Sequence, residues 1–224
     1  SAVSMIPAVS GAYFGKAMLA GHVYNLELGV QMQTYYGDPS LQRPHLALLP
    51  NGEIYVGFTV GIRKIALDGS VSVVHAEAPS IRIATDPAGN LYLAKGTTID
   101  MIPVASGTYF GQAMTMGNRY TVASIPGAST ARFIVFDASG NLYAILGYGN
   151  PILMVPNVTG SYFGQAMTAG TSYTLATIAG TSVSPLTLDS LGNVYVWRTD
   201  NKKIVKISTN GQISDFAGGG LGGD

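Results

Sequence analysis

Three features of the sequence predict an all-β fold, a β-propeller of four-stranded antiparallel blades. A turn phrase recurs as "DPAGNLYLA" (Asp86–Ala94), "DASGNLYAI" (Asp137–Ile145) and "DSLGNVYVW" (Asp189–Trp197), with a weaker copy "LPNGEIYVG" (Leu49–Gly57). Its tyrosines, Tyr55, Tyr92, Tyr143 and Tyr195, lie 37, 51 and 52 residues apart, a period that belongs to stacked supersecondary units. Alternating apolar runs flank each turn on both sides, and no stretch carries a helical period.

Each element follows from its residues. The Asp of the phrase accepts backbone amides two or three residues on, which starts a tight turn. The Gly then supplies the positive φ of a type I turn with a G1 bulge, and strand formers such as Leu91-Tyr92-Leu93 continue the chain. First strands precede the turns at His45–Leu49, Ser80–Asp86, Ala131–Asp137 and Pro185–Asp189. Third strands follow at Gly61–Leu67, Thr98–Val104, Pro151–Asn157 and Lys202–Ser208. Fourth strands complete the units at Val71–Glu77, Arg119–Ile125, Ser172–Ile178 and Gln212–Gly218. Four short antiparallel strands per repeat describe a propeller blade.

The expected organisation is one propeller domain or propeller fragment over residues 1–224. Its complete blades span 45–79, 80–127, 131–180 and 184–218, with a half blade at 1–28 and a long connection at 29–44. The half blade is read from "VSMIPAVSG", which matches "IDMIPVASG" and so supplies a third and fourth strand without the first two. An open edge is therefore expected beside the strand carrying Met5, where a strand from elsewhere would pair.

A second phrase recurs between third and fourth strands: "GAYFGKAMLAGHVYNLE" (Gly11–Glu27), "GTYFGQAMTMGNRYTVA" (Gly107–Ala123) and "GSYFGQAMTAGTSYTLA" (Gly160–Ala176). Two blades replace it with a short turn, at "ALDGSVSVV" and "ISTNGQISDF". It reads as architecture rather than as a shared ligand box. The expectation is a self-packed loop on the outer blade edge, with Tyr162, Phe163 and Met167 folded onto their own blade and Gly164 and Gly170 at the bends.

Composition narrows function. Charged residues make up 11%, against the roughly 25% usual in globular proteins, and 12 basic residues balance 12 acidic ones. No net field draws in nucleic acid or an anionic membrane, so neither is an expected partner. With no cysteine, disulfides and thiolate metal sites are excluded. No apolar run approaches the ~18 residues of a membrane span, and "SAVSMIPAVSG" lacks the basic start and apolar block of a signal peptide. The tripeptide Asn157-Val158-Thr159 matches a glycosylation sequon, a pattern common by chance.

No catalytic constellation emerges. His22, His45 and His75 fall in different repeats without metal-ligand spacing, and no nucleophile elbow, P-loop or dinucleotide fingerprint is present. Asp86, Asp137 and Asp189 are explained by their turns. No catalytic residue, metal site or cofactor is assigned. Strand alternation places the second-to-third and fourth-to-first connections on one face around the central channel. That face carries Phe58, Lys95, Tyr148, Trp197 and Arg198, together with Tyr35, Tyr36, Asp38 and Arg43 of the long connection. Aromatics with a few charges suit a sugar, peptide or protein surface.

The phrase D-x-x-G-N-[LV]-Y followed by an I-x-K-I strand resembles the NHL repeat, most fully at "RTDNKKIVKIS…GQISDFAGGG" (Arg198–Gly220). The "SGTYFGQAMTMGNRYTVA" insertion is similar to one in bacterial NHL-like propellers. The resemblance extends over nearly the whole chain, although "YYGDPSLQRPHLALLP" (Tyr35–Pro50) departs from the usual blade entry. It implies a propeller and says little of activity. Some NHL-like propellers are lyases with a metal and histidines near the axis, which the sparse His and acid supply here does not favour. The expected function is a non-catalytic bacterial propeller, extracellular or on the cell surface, used for binding or assembly. Its partners would be a protein or glycan surface, or other copies through strand pairing. The alternative is an NHL-like lyase with an axial metal.

Overall fold

A computed structural model describes residues 3–26, 45–58, 61–76, 82–125, 131–146, 151–178 and 183–219. Among them all regular structure is antiparallel β-strand, and no helix is long and apolar enough to cross a membrane. The chain divides into two compact units, Ser1–Ile83 and Ala84–Asp224.

In the first unit, β1 (Val3–Met5) pairs with β4 (Tyr24–Leu26), and between them β2 (Gly11–Tyr13) and β3 (Lys16–Met18) form a separate hairpin. A four-stranded sheet follows, built from β5 (His45–Leu48), β6 (Ile54–Phe58), β7 (Gly61–Ile65) and β8 (Val71–His75). Three more such sheets occupy the second unit, the first beginning just ahead of the boundary. They comprise β9 (Arg82–Thr85), β10 (Leu91–Lys95), β11 (Thr98–Ile102) and β14 (Tyr120–Ser124), with the hairpin β12 (Gly107–Tyr109) and β13 (Gln112–Met114). Next are β15 (Ala131–Phe136), β16 (Leu142–Leu146), β17 (Pro151–Val155) and β20 (Tyr173–Thr177), with the hairpin β18 (Gly160–Tyr162) and β19 (Gln165–Met167). The last sheet is β21 (Val183–Leu188), β22 (Val194–Arg198), β23 (Lys203–Ile207) and β24 (Ile213–Gly218).

The recurrent Asp turn is a closed hydrogen-bond unit. Asp86 Oδ1 accepts the amides of Ala88 (3.0 Å) and Asn90 (2.9 Å), and Oδ2 accepts Asn90 Nδ2 (2.7 Å) and the Tyr92 hydroxyl (3.0 Å). Asp137 and Asp189 repeat the set with Asn141 and Tyr143, and with Asn193 and Tyr195. Gly89 sits at φ 89° and donates to Asp86 O, as the bulged type I turn requires. The Asn side chain then reaches the end of the third strand: Asn90 Oδ1 accepts Val104 N–H (2.9 Å), and Asn141 Oδ1 accepts Asn157 N–H (2.8 Å). Burial, reinforced by the adjacent carboxylate, pushes the Tyr92 and Tyr143 hydroxyls far above the usual range, so both stay neutral donors.

The YFGQAM insertion departs from the self-packed loop expected of it. Each copy is a β-hairpin closed by a two-residue turn: Phe14-Gly15 (φ 50° and 72°), Phe110-Gly111 (53° and 74°) and Phe163-Gly164 (51° and 75°). Positive φ at both positions defines a type I′ turn, where Asn-Gly is the common choice and a bulky aromatic is a rarity. Packing explains the aromatic. Phe110 and Met114 are buried in a cluster joining Tyr92 and Met101 of their own blade to Leu142, Leu153 and Val155 of the next. Phe163 and Met167 likewise join Tyr143 and Met154 to Val194, Val205 and Ile207, and Met18 packs with Val56 and Ile65. Left-handed backbone costs ~1–2 kcal/mol for a residue with a Cβ. Burying one Phe and one Met returns ~1.5–3 kcal/mol each, so packing wins.

The hairpin is thus a clasp between successive blades rather than an elbow on one. Its local bonds do close on themselves: Tyr109 OH donates to Ala105 O (3.0 Å), and Met116 N–H donates to Ser106 Oγ (2.9 Å). Its turn, however, abuts the following blade. A Cβ built on Gly170 would lie 2.4 Å from Phe110 O, and one on Gly69 would lie 2.3 Å from Phe14 O. Phe110 N–H donates to Asn157 Oδ1 (3.0 Å) across the same seam, while Asn157 Nδ2 reaches Ser139 O (3.3 Å) and Thr159 Oγ1 accepts Ala169 N–H (3.0 Å). The sequon-like tripeptide is accounted for by these contacts.

Candidate ligand face

The second strand of each sheet ends on the side where ligand contacts are expected. Phe58 closes β6, Lys95 closes β10, and Trp197 and Arg198 close β22. Tyr35, Tyr36, Asp38, Arg43 and Tyr148 lie outside the described residues. Of the remainder, Trp197 and Arg198 are consecutive in β22, so their side chains leave opposite faces of the sheet. Both are half-buried, and Arg198 Nη2 donates to Asp200 Oδ2 at 2.8 Å. The Arg198 hydrogen bond holds the Asp200 carboxyl below the usual carboxylate range, aided by the Asn201 amide and opposed by partial desolvation. Lys202, at φ 53°, turns the chain back into β23, whose Lys203 pairs with Arg198 in the ladder. Lys95 is exposed two blades earlier, at the corresponding strand end.

A second polar group went unremarked in the sequence. Asp100, in the middle of β11, is buried, with 5% of its side chain exposed. Its Oδ2 accepts Arg119 Nε (2.7 Å) and Arg119 Nη2, and its Oδ1 accepts Thr121 Oγ1 (2.8 Å). The signal was a carboxylate standing where the aligned copy has Leu153 and the half blade has Ser4, with Arg119 standing where the copy has Ser172. All of Asp100's described bonds are internal, so it reads as a structural ion pair.

The histidines form no common site. Among the described residues no three His, Cys, Asp or Glu side chains lie together as a metal-binding group. His45, opening β5, is half-buried; burial first, and the Arg82 charge second, hold its imidazole below the usual 6.5. Its folded pKa therefore lies below the unfolded one, and the unfolded chain takes up the proton first. The stability it contributes is present above pH 6.5 and declines as pH falls towards the folded pKa. Urea midpoints compared at pH about 7.5 and about 5.5 should drop on acidification, with a smaller drop in His45→Gln.

No family model matches the chain, and no curated protein does. Solved structures do. A catalytically inactive virginiamycin B lyase from Staphylococcus aureus with quinupristin superposes with a TM-score of 0.60 at 16% identity, covering 88% of this chain and 59% of that one. A nidogen/laminin complex gives 0.58 at 17% identity, covering 88% and 68%. The calcium-binding protein regucalcin from Agrobacterium tumefaciens gives 0.53 at 15% identity, covering 77% and 58%. The chain thus spans between 54% and 68% of the first three such structures, a streptogramin B lyase being the lowest. At these identities the likeness speaks to fold. The four-stranded antiparallel sheets and the propeller-type neighbours together establish an all-β fold of the propeller class.

Proposed function

We propose that this chain is a non-catalytic propeller, extracellular or on the cell surface, that serves binding or assembly. The observation that carries the reading is the end of β22, where Trp197 and Arg198 offer an aromatic and a cation, both half-buried. The ligand face supports it. Lys95, exposed at the end of β10, adds a second cation of the kind that suits protein or glycan contact. The nidogen structure is a complex with laminin, and use of a propeller for protein contact is what we carry over to this chain.

The lyase neighbours motivate the alternative, a metal-dependent lyase acting at the central axis. Two measurements separate them. Glycan and peptide arrays probed with the wild type and with a Lys95→Ala, Trp197→Ala, Arg198→Ala variant should show retained ligands whose affinity falls at least about tenfold in the variant, as for aromatic and Arg anchors. Elemental analysis showing one tightly held metal per chain, with array signals indifferent to the three substitutions, would overturn the binding reading in favour of the lyase.

A further inference from the structure

Two turns of the chain carry Asn-Gly, a pair in which no Cβ hinders the glycine nitrogen from approaching the asparagine side chain: Asn51-Gly52 and Asn210-Gly211. Both asparagines are exposed, and both turns have the same form. Gly52 sits at φ 87° and donates to Leu49 O (2.9 Å), and Gly211 sits at φ 84° and donates to Ser208 O (2.7 Å). The asparagine side chains are held differently. Asn51 Nδ2 donates to Glu53 Oε2 (3.1 Å), a carboxylate that also pairs with Lys64, and Asn51 Oδ1 accepts the Glu53 amide (3.1 Å). Asn210 Nδ2 has no partner among the described residues, and Asn210 Oδ1 accepts two donors, the Ser208 hydroxyl (2.6 Å) and the Gln212 amide (3.1 Å). The other acceptor within reach of that hydroxyl, Gln212 O, is farther away at 3.0 Å.

We propose that Asn210-Gly211 is a self-modification site, at which the glycine nitrogen displaces the side-chain amide. The Gly211 nitrogen gives its proton to solvent and bonds to Asn210 Cγ. The Cγ–Nδ2 bond then breaks, and Nδ2 takes a solvent proton and leaves as ammonia, so a cyclic imide remains. Water opens the imide at either carbonyl, giving aspartate or isoaspartate, and nothing is oxidised or reduced. Two donors on Oδ1 stabilise the negative charge that gathers there as the nitrogen adds. At Asn51 the Glu53 carboxylate tethers the leaving nitrogen and opposes that charge. The product bears on a clasp: a Cβ on Gly211 would lie 2.9 Å from Phe163 O, and one on Gly164 would lie 3.6 Å from Asn210 O. Phe163 packs there with Val205 and Ile207. The aspartate product has a precedent in the chain, because Asp68-Gly69 holds the same turn position beneath the Phe14-Gly15 clasp, with Asp68 Oδ1 accepting the Ser70 amide (2.8 Å). In isoaspartate the main chain runs through the former side chain and is a methylene longer. That slackens the turn under Phe163, and the modification becomes a slow, irreversible release of the clasp.

The test incubates the full chain at mildly alkaline pH and maps its peptides by mass spectrometry, which detects the amide-to-acid mass gain and separates the two isomers. Conversion at Asn210 is expected to run at least about tenfold faster than at Asn51, a gap that closes when the same chain is held unfolded in guanidinium. Ser208→Ala should slow conversion at Asn210 at least about threefold and leave Asn51 unchanged. Equal rates at the two sites in the folded chain, a gap that persists in guanidinium, or a Ser208→Ala variant that reacts as fast as the parent overturns the assignment. Hydrogen exchange reads the release of the clasp: the amides of Phe163 and Gly164 should exchange faster in the aged chain, and at the parent rate in a fresh Asn210→Asp variant. Faster exchange in Asn210→Asp as well would trace the loosening to the new charge and overturn the role given to isoaspartate.

Discussion

Gly170→Ala is expected to destabilise the protein much more than Gly117→Ala, although the two glycines are the same residue of the same repeat. They share φ values of 73° and 78°, and each donates to the carbonyl of the proline that follows the third strand, Pro156 or Pro103. Alanine at either position meets the left-handed cost of ~1–2 kcal/mol. Around Gly117 nothing lies within 4 Å of the added Cβ, so that cost is the whole effect. At Gly170 the Cβ would stand 2.4 Å from Phe110 O, a backbone atom of the preceding blade's clasp. Relief requires the two blades to separate at the seam where Phe110, Met114, Leu153 and Val155 pack. The total loss should reach roughly 3–5 kcal/mol, comparable to emptying a large core side chain. Chemical unfolding of both variants measures the difference, and faster exchange of the Phe110 amide, which binds Asn157, locates it. Equal destabilisation by the two alanines would mean that the clasp does not hold the blades together.

The second large effect belongs to Asp100. Removing its partner in Arg119→Ala leaves a buried carboxylate with Thr121 as its remaining described side-chain donor, and should cost on the order of 2–3 kcal/mol. That range is set below the value for a fully buried pair because a third of the Arg119 side chain is exposed to solvent. Replacing both partners at once, as Asp100→Leu with Arg119→Ser, writes into this blade what the next one already has at Leu153 and Ser172. The double variant should be near neutral or more stable than the parent, because an apolar side chain fills the site without a desolvation penalty. Thermal midpoints for the single and double variants decide the matter, and a double variant as unstable as Arg119→Ala would show that the pair does more than neutralise itself.

The turns were the most legible part of the sequence because their chemistry is local. Asp86 satisfies Ala88, Asn90 and Tyr92 within six residues, so a short phrase carries the whole unit and its repetition announces the blades. The strand pattern was legible for the same reason, since alternation records which face each residue presents. Asp100 was not legible as a buried charge, because a single polar residue inside an alternating strand looks like an ordinary outward-facing one until its surroundings are known.

The insertion marks the boundary most clearly. By itself the sequence determined that YFGQAM is a building part, since it recurs at one place in the blade and is dispensable in two of them. What it builds was decided by tertiary structure. The Phe110 amide meets Asn157 across 47 residues, and Gly170 is needed because another blade's carbonyl rests on it. A bond of that span leaves no periodic trace, and a glycine required by close approach is spelled like one required by a turn. Local hydrogen bonds and side-chain alternation write themselves into sequence. Contacts between blades depend on where the sheets come to rest, and only the folded chain shows them.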